Sequence, residues 1–224
     1  MMRPALLLGF LGLLRPGHAQ WTDLVSGIDD DLTGVYWWDT HVVVCGEHGI
    51  YFSTTAGVGT DAWTRFEITG SPTDDAQYDR TSFSGVTARE AEQGIAYFAG
   101  TDTVEQRAII LKVDISDQSY AFLHVGATPS ALNAIEVNNA QNRLFAVGDH
   151  GLVLRSTDFA SFTEVVTGLD VPLLSLSASS SAFLIGGEGL YVFCSDQTSG
   201  LTLTPHLSPG RTFRGIRAVV STQH

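Results

Sequence analysis

Acids and histidines recur at matched places in this chain. Gly46-Glu47-His48-Gly49 and Gly148-Asp149-His150-Gly151 share one pattern, Gly186-Gly187-Glu188-Gly189 repeats it without the histidine, and Asp102 follows Gly100-Thr101 in the corresponding stretch of a further copy. Asp29-Asp30-Asp31, Asp74-Asp75, Asp79 and Asp170 fall between apolar runs. Carboxylates gathered on one face attract a basic polypeptide segment or hold a divalent cation such as calcium. Acids in turns also bond nearby amides and keep a surface soluble. No nucleophile with a matched base, no glycine-rich phosphate loop and no metal-ligand spacing accompanies them, and His48 and His150 read as solvated turn residues of separate repeats. The chemistry on offer is binding. Glu47, Asp102, Asp149, Glu188, Asp30 and Asp170 form the candidate acidic face, with no catalytic residue, metal ligand or obligatory cofactor expected.

What must position these residues is a four-residue signature that returns five times: Leu32-Thr33-Gly34-Val35, Phe83-Ser84-Gly85-Val86, Leu132-Asn133-Ala134-Ile135, Leu173-Leu174-Ser175-Leu176 and Phe213-Arg214-Gly215-Ile216. Each reads large apolar, variable, small, aliphatic. Their last residues are spaced by 51, 49, 41 and 40 positions, the range of a four-stranded propeller blade rather than a helical array. The signature opens an inner strand; a second apolar strand then runs into the glycine-bounded turn and a third leaves it, as in Val42 to Cys45 before Ile50 to Phe52, and Leu144 to Val147 before Leu152 to Leu154. Glycine at both ends of the turn suits a tight hairpin with positive φ. Repeat two departs, with a longer loop through Gln106 before Ala108 to Val113. In an up-and-down blade this turn and the link to the next blade emerge on one face, so turn acids and link acids collect there.

The predicted fold is an all-β propeller with blades near 32–70, 83–125, 132–168 and 173–208, and a partial fifth blade of 213–224 with 21–27. Trp21-Thr22-Asp23-Leu24-Val25-Ser26-Gly27 ends five residues before Leu32, just as Phe162 to Gly168 ends five before Leu173. The first segment therefore reads as an outer strand that latches the two ends of the ring together. Only eight residues follow Ile216, which leaves either five blades with a ragged closing blade or, the favoured expectation, a truncated larger propeller, monomeric unless the incomplete blade pairs with another chain.

Composition sets the remaining bounds. The 224 residues are 44% hydrophobic and 10% aromatic, enough for a packed core in one repeat domain. Met1-Met2-Arg3, the apolar run Ala5 to Leu14 and Gly17-His18-Ala19 read as a signal peptide over residues 1–19, leaving 20–224 as the propeller and predicting export to an extracellular, periplasmic or lumenal space. The run is too short for a membrane span. Net charge is -12, or -14 without Arg3 and Arg15, which argues against nucleic acid as a partner. Cys45 and Cys194 lie in apolar runs of blades that are not neighbours and read as buried free thiols, with no disulfide expected.

In repeat three, Leu152-Val153-Leu154-Arg155-Ser156-Thr157-Asp158 runs on to Phe162-Thr163. This resembles the repeat of the photosystem II stability/assembly factor propellers and, more distantly, the Asp-box of sialidase-type propellers, where Ser-x-Asp precedes a glycine and then an aromatic. Ala160 stands where that glycine is usual, Ser53-Thr54-Thr55 with Trp63-Thr64 lacks the aspartate, and Ser195-Asp196 lacks the aromatic. Ser156 and Asp158 read as turn residues bonding nearby amides. The assembly-factor resemblance implies a membrane-protein subunit as partner, met on the lumenal side of thylakoids through an arginine-rich surface; the arginines of this acidic chain form no such patch. The sialidase resemblance implies a tyrosine nucleophile with an acid partner and arginines converging from several blades, whereas Arg214 and Arg217 share a blade and Arg65 and Arg155 fall on outer elements. Trp37 and Trp38 point to opposite faces of one strand and read as core. The expected function is a non-catalytic exported scaffold that binds a protein partner, with a sialidase-like glycan-binding or glycan-hydrolysing propeller as the alternative.

Overall fold

The computed structural model describes residues 28–38, 41–53, 63–179, 182–197 and 200–216. The predicted signal segment 1–19, the latch Trp21 to Gly27 and Arg217 lie outside these residues. Three four-stranded antiparallel sheets follow the predicted repeats. Blade one is β1 (Leu32–Trp38), β2 (His41–Gly46), β3 (Ile50–Ser53) and β4 (Thr64–Arg65) in that order; blade two is β5 (Thr81–Ala88), β6 (Ile95–Asp102), β7 (Arg107–Asp114) and β8 (Ser119–Pro129). Blade three is β9 (Leu132–Asn138), β10 (Arg143–Gly148), β11 (Val153–Ser156) and β12 (Thr163–Glu164).

Repeat four differs. Its sheet has the order β13 (Leu173–Ala178), β14 (Ala182–Gln197), β15 (Gly200–Thr212), and β14 carries both segments that are separate strands in repeat three. The predicted turn at Gly186 to Gly189 is not a gap between strands, because Glu188 is laddered to Thr212 and the Phe213 amide donates to the Gly187 carbonyl at 3.1 Å. Chain arriving from β15 pairs with residues that form an unpaired turn in blades one and three.

Second strands read as unbroken apolar runs because both of their faces are packed. Alternate residues serve opposite neighbours. In β6, Ala96 and Phe98 join the core between blades one and two while Tyr97 and Ala99 join the core between blades two and three; in β10, Leu144 and Ala146 face blade two while Phe145 and Val147 face blade four. Cys45 lies in the first of these cores and Cys194 in the third, and the two are not joined in a disulfide. Burial pushes the Cys45 thiol up to about 12, which leaves it unreactive. The described sheets form an open arc. Val35 and Trp37 on one end and Phe193 on the other are about half exposed, so Trp37 is not the core residue expected. Among the described residues no helix is long and apolar enough to cross a membrane.

The signature is a β-bulge. In all four sheets the register slips across its second residue, between Leu32 and Gly34, Phe83 and Gly85, Leu132 and Ala134, and Leu173 and Ser175. A bulge leaves one residue outside the ladder and turns its side chain aside. That side chain then reaches the next blade: Thr33 donates to the Phe83 carbonyl (2.5 Å), Ser84 to that of Leu132 (2.6 Å) and Asn133 to that of Leu173 (3.0 Å). In repeat four the bulged residue is Leu174, and Ser175 beside it donates to the Phe213 carbonyl at 2.9 Å. Phe213 to Ile216 form no strand, yet the fifth signature takes the same bond as the others.

The glycine paired with the start of the signature answers to crowding rather than to φ. Gly46, Gly100, Gly148 and Gly187 stand opposite the first signature residue of their own blade, and Gly148 has φ -159. A Cβ there would lie 2.6, 2.7, 1.9 and 2.7 Å from the carbonyl oxygens of Asp31, Ser82, Ala131 and Pro172. The left-handed region is used by the last glycine of the turn at Gly151 (φ 70) and Gly189 (φ 71), and by His150 (φ 55).

One helix was not expected: α1 (Pro72–Asp79), in the link between blades one and two. Ser71 caps it by accepting from the Asp74 amide, Pro72 opens it and Asp74 and Asp75 fill its first turn, a start signal that Ser71-Pro72-Thr73-Asp74-Asp75 carries in sequence. Its buried Tyr78 ties the link to blade one, since the hydroxyl accepts from the Ile50 amide (3.0 Å) and donates to the Phe66 carbonyl (2.9 Å).

Candidate binding face

The bulge registers decide which turn residues correspond. The position after the paired glycine is Glu47 in blade one, Thr101 in blade two, Asp149 in blade three and Glu188 in blade four. Asp102 is thus one place out of register with the other acids. In blades one, three and four the amide at this position donates to the residue preceding the signature, with Glu47 to Asp31 at 3.3 Å, Asp149 to Ala131 at 3.0 Å and Glu188 to Pro172 at 3.1 Å. Three acidic residues are therefore anchored through their backbone at the openings of three inner strands, while Thr101 accepts from the Leu132 amide at 3.3 Å.

The six predicted residues separate into different roles. Glu47 and Glu188 are exposed. Asp149 accepts from the Asn133 side-chain amide (3.0 Å), the group that also bonds to the Leu173 carbonyl, so the acid steadies one inter-blade bond. Asp30 has a fully buried side chain that accepts from the His48 backbone amide and pairs with His48 Nδ1, both at 3.0 Å. Asp170 is exposed and pairs with His150 Nδ1 at 3.0 Å. Each turn histidine thus has a link aspartate as partner.

Asp102 offers no open charge, with its side chain 1% exposed. One oxygen accepts from the Val104 and Glu105 amides, the other from Gln77 and from Arg80 Nε. Burial alone would raise its pKa, but these donors together hold it below the usual carboxylate value. The carboxylate organises the loop that follows β6. Link acids are similarly occupied: Asp74 accepts from the Tyr120 hydroxyl, and Asp79 pairs with Arg65.

Cations on this side are matched by acids in blades one and two. Arg65 pairs with Glu67 (2.9 Å) and Asp79 (3.3 Å), Arg80 with Asp102 (2.7 Å), and Arg107 with Glu105 (2.9 Å). Arg211 and Arg214 are exposed at the blade-four end. The acids do not converge on a point: among the described residues no three of His, Cys, Asp and Glu are grouped to hold a metal ion. The arrangement offers spread negative charge, suited to several basic side chains in succession.

No protein-family model matches the chain, and no curated protein does. Among solved structures it is similar to one described as YCF48 bound to D1 peptide, with a TM-score of 0.56, 14% identity, and coverage of 80% of this chain and 55% of that one. The fold is that of a β-propeller. At this identity the likeness concerns the fold, and the chain spans about half the length of that propeller. Propeller architecture makes β1, β5, β9 and β13 the strands nearest the axis, so Glu47, Asp149 and Glu188 mark its mouth.

Glu136 and Phe159 escaped the sequence reading, whereas the Asp158 turn bonds nearby amides as expected. Glu136 on β9 is pushed from the ordinary 4.5 up to about 7 by burial; the Tyr36 hydroxyl on β1 is raised chiefly by desolvation, then by the charges of Glu90 and Glu136. An acidic strand residue one place after a signature was the available signal. Asp158 accepts from Ser161, Ala160 and Ser156, which hold its pKa well down. That turn puts Phe159 at φ 59 and buries its ring 5.6 Å from Tyr97 and under the Arg89 guanidinium at 4.8 Å, fastening blade three to blade two.

Proposed function

We propose that the chain is a non-catalytic exported propeller that binds a basic segment of a partner protein on its turn face. The observation that carries this reading is the shared register of Glu47, Asp149 and Glu188 over three inner strands, beside Arg65, Arg80 and Arg107 that are already paired with acids. Spread carboxylates over a rigid scaffold steer and retain a cationic chain. A propeller of similar fold is known with a peptide bound, YCF48 with a D1 peptide, which supports peptide binding as a use of this architecture. Assembly of a photosynthetic complex is the narrower form of the same reading. A fifth blade built from 213–224 and 21–27 belongs to it as well, supported by the bond from Ser175 to Phe213.

The pairing of Arg65 with Glu67 and Asp79, and of Arg80 with Asp102, supports a non-catalytic role over sialidase-type chemistry, which needs arginines converging on a substrate carboxylate. The test is affinity capture from the native host with the tagged wild-type chain and the Glu47→Gln/Asp149→Asn/Glu188→Gln variant. A partner with a basic segment should be enriched by the wild type and depleted with the variant. Equal recovery by both, or turnover of a fluorogenic sialoside by the purified chain, would overturn the reading.

A further inference from the structure

We propose that the partner segment lies as an extended strand in the groove between blades two and three, hydrogen-bonded to the free edge of β8, with basic side chains directed to Glu164 and Asp149. This rests on the reading of the chain as a binder of basic segments and gives that segment a place.

β8 is an unusual outer strand. It runs for 11 residues and pairs only with β7 among the described residues, whereas β4 and β12, the outer strands of blades one and three, have two residues each. Long sheet edges are normally blunted by charge or internal proline, since unpaired amides and carbonyls template another strand. Between Ser119 and Pro129 there is no Asp, Glu, Lys or Arg, and the one proline comes last. The ladder to β7 slips from Ile109 opposite Val125 to Arg107 opposite Pro129, leaving Gly126 to Thr128 out of register. Gly126 is buried against Ala108, where a Cβ would lie 3.3 Å from the Ala108 nitrogen, while Ala127 and Thr128 stay exposed.

Beside this edge lies a groove of about 440 Å³, a size that receives side chains of a bound ligand. Residues 126–130 form one wall and residues 164–169 the other. Thr167 shapes the second wall by donating to the Gly151 carbonyl (2.9 Å) and accepting from the Leu169 amide (3.1 Å). The charges in the lining are Glu164 and Asp149, with no lysine or arginine among the lining residues. Neighbouring Arg107 is tied to Glu105. Val166 in the lining is 91% exposed, so aliphatic side chains of an incoming strand meet apolar surface on the blade-three wall. Edge backbone for pairing, carboxylates and an exposed valine together describe a strand that alternates basic and small aliphatic residues, the mode of recognition in which main-chain bonds give affinity and alternate side chains give specificity.

The test titrates a fluorescein-labelled 12-residue peptide of alternating lysine and valine (about the reach of β8 at ~3.4 Å per residue) into the wild-type chain, a groove variant (Ala127→Lys/Glu164→Gln) and a mouth variant (Glu47→Gln/Glu188→Gln). Circular dichroism melts confirm that each variant is folded. Amide exchange follows Ser119 to Pro129. The expected result is binding weakened at least about fivefold in the groove variant, with β8 amides protected by peptide in the wild type. Full binding by the groove variant, with loss confined to the mouth variant, overturns the groove while leaving the broader reading intact. No binding by the wild type overturns both. Protection of β8 that grows with protein concentration and without peptide assigns the edge to a second copy and also overturns the proposal.

Discussion

The Ser175 hydroxyl donates to the Phe213 carbonyl at 2.9 Å, and so joins the fourth signature to the fifth as Thr33 joins the first to the second. These bonds run from blade to blade beside the axis, and all four are part-buried. Removing a donor there strands an acceptor, which costs about 1–2 kcal/mol. Ser84→Ala should therefore lower the melting temperature by a few degrees, roughly 2–4 °C per kcal/mol for a chain of this size. Ser84→Thr keeps the hydroxyl and should recover most of the loss; calorimetry on both variants checks this.

The glycines make a sharper contrast. A Cβ on Gly85 would meet nothing nearer than 3.6 Å, and repeat three already carries Ala134 at that place, whereas on Gly148 it would lie 1.9 Å from the Ala131 carbonyl oxygen. Gly85→Ala should change stability by less than about 1 kcal/mol. Gly148→Ala must displace the turn that carries Asp149 and should cost more than about 3 kcal/mol or prevent folding. Urea unfolding of the two proteins under the same conditions distinguishes them.

Much of this was legible beforehand, for a physical reason. Inner and second strands repeat with little change because each blade must bury the same two faces, so Val42 to Cys45 and Leu144 to Val147 announced themselves. Asp102 was misaligned because the loop after Thr101 is longer, and only the pairing of Phe83 with Gly100 shows that Thr101 is the match to Glu47. The signature's second place looked variable because its requirement is a short donor rather than a fixed residue, and repeat four moves that donor one place along. Which acids stay open depends on partners distant in sequence, such as Arg80 and Gln77 for Asp102, and no spacing rule reveals those.

Two carboxylates give opposite dependences on pH. Glu136 titrates near 7 in the folded protein against an ordinary 4.5, so the folded state holds its proton more tightly than the unfolded one. Its favourable effect is complete below about 4.5 and is lost as pH rises through 7, amounting to at most about 3 kcal/mol by pH 8. Asp102 is held below its ordinary value, so its contribution is present above about 4 and is lost at lower pH. Glu136→Gln should flatten the fall in stability between pH 5 and 8, and Asp102→Asn should weaken the protein at neutral pH and blunt its acid sensitivity. Denaturation series at pH 3, 5 and 8 read both effects.

Phe159 joins two blades from a left-handed backbone position that a bulky side chain seldom takes. The buried ring outweighs that strain. Phe159→Ala should cost about 3 kcal/mol, within the usual range for deleting a buried aromatic, and should loosen the contact of blade three with Tyr97. Lower exchange protection at Tyr97 and Phe98, with protection at Val43 and Val44 kept, is the expected pattern; uniform loss would mean the ring supports the whole arc instead.

Isothermal titration of a lysine-rich peptide into the wild-type chain and into the Glu47→Gln/Asp149→Asn/Glu188→Gln variant, each at low and at physiological salt, meets the central claim most directly. Saturable binding by the wild type that weakens with salt, and falls at least about tenfold in the variant, is the predicted result. Equal affinity in both proteins at both salt concentrations would contradict it.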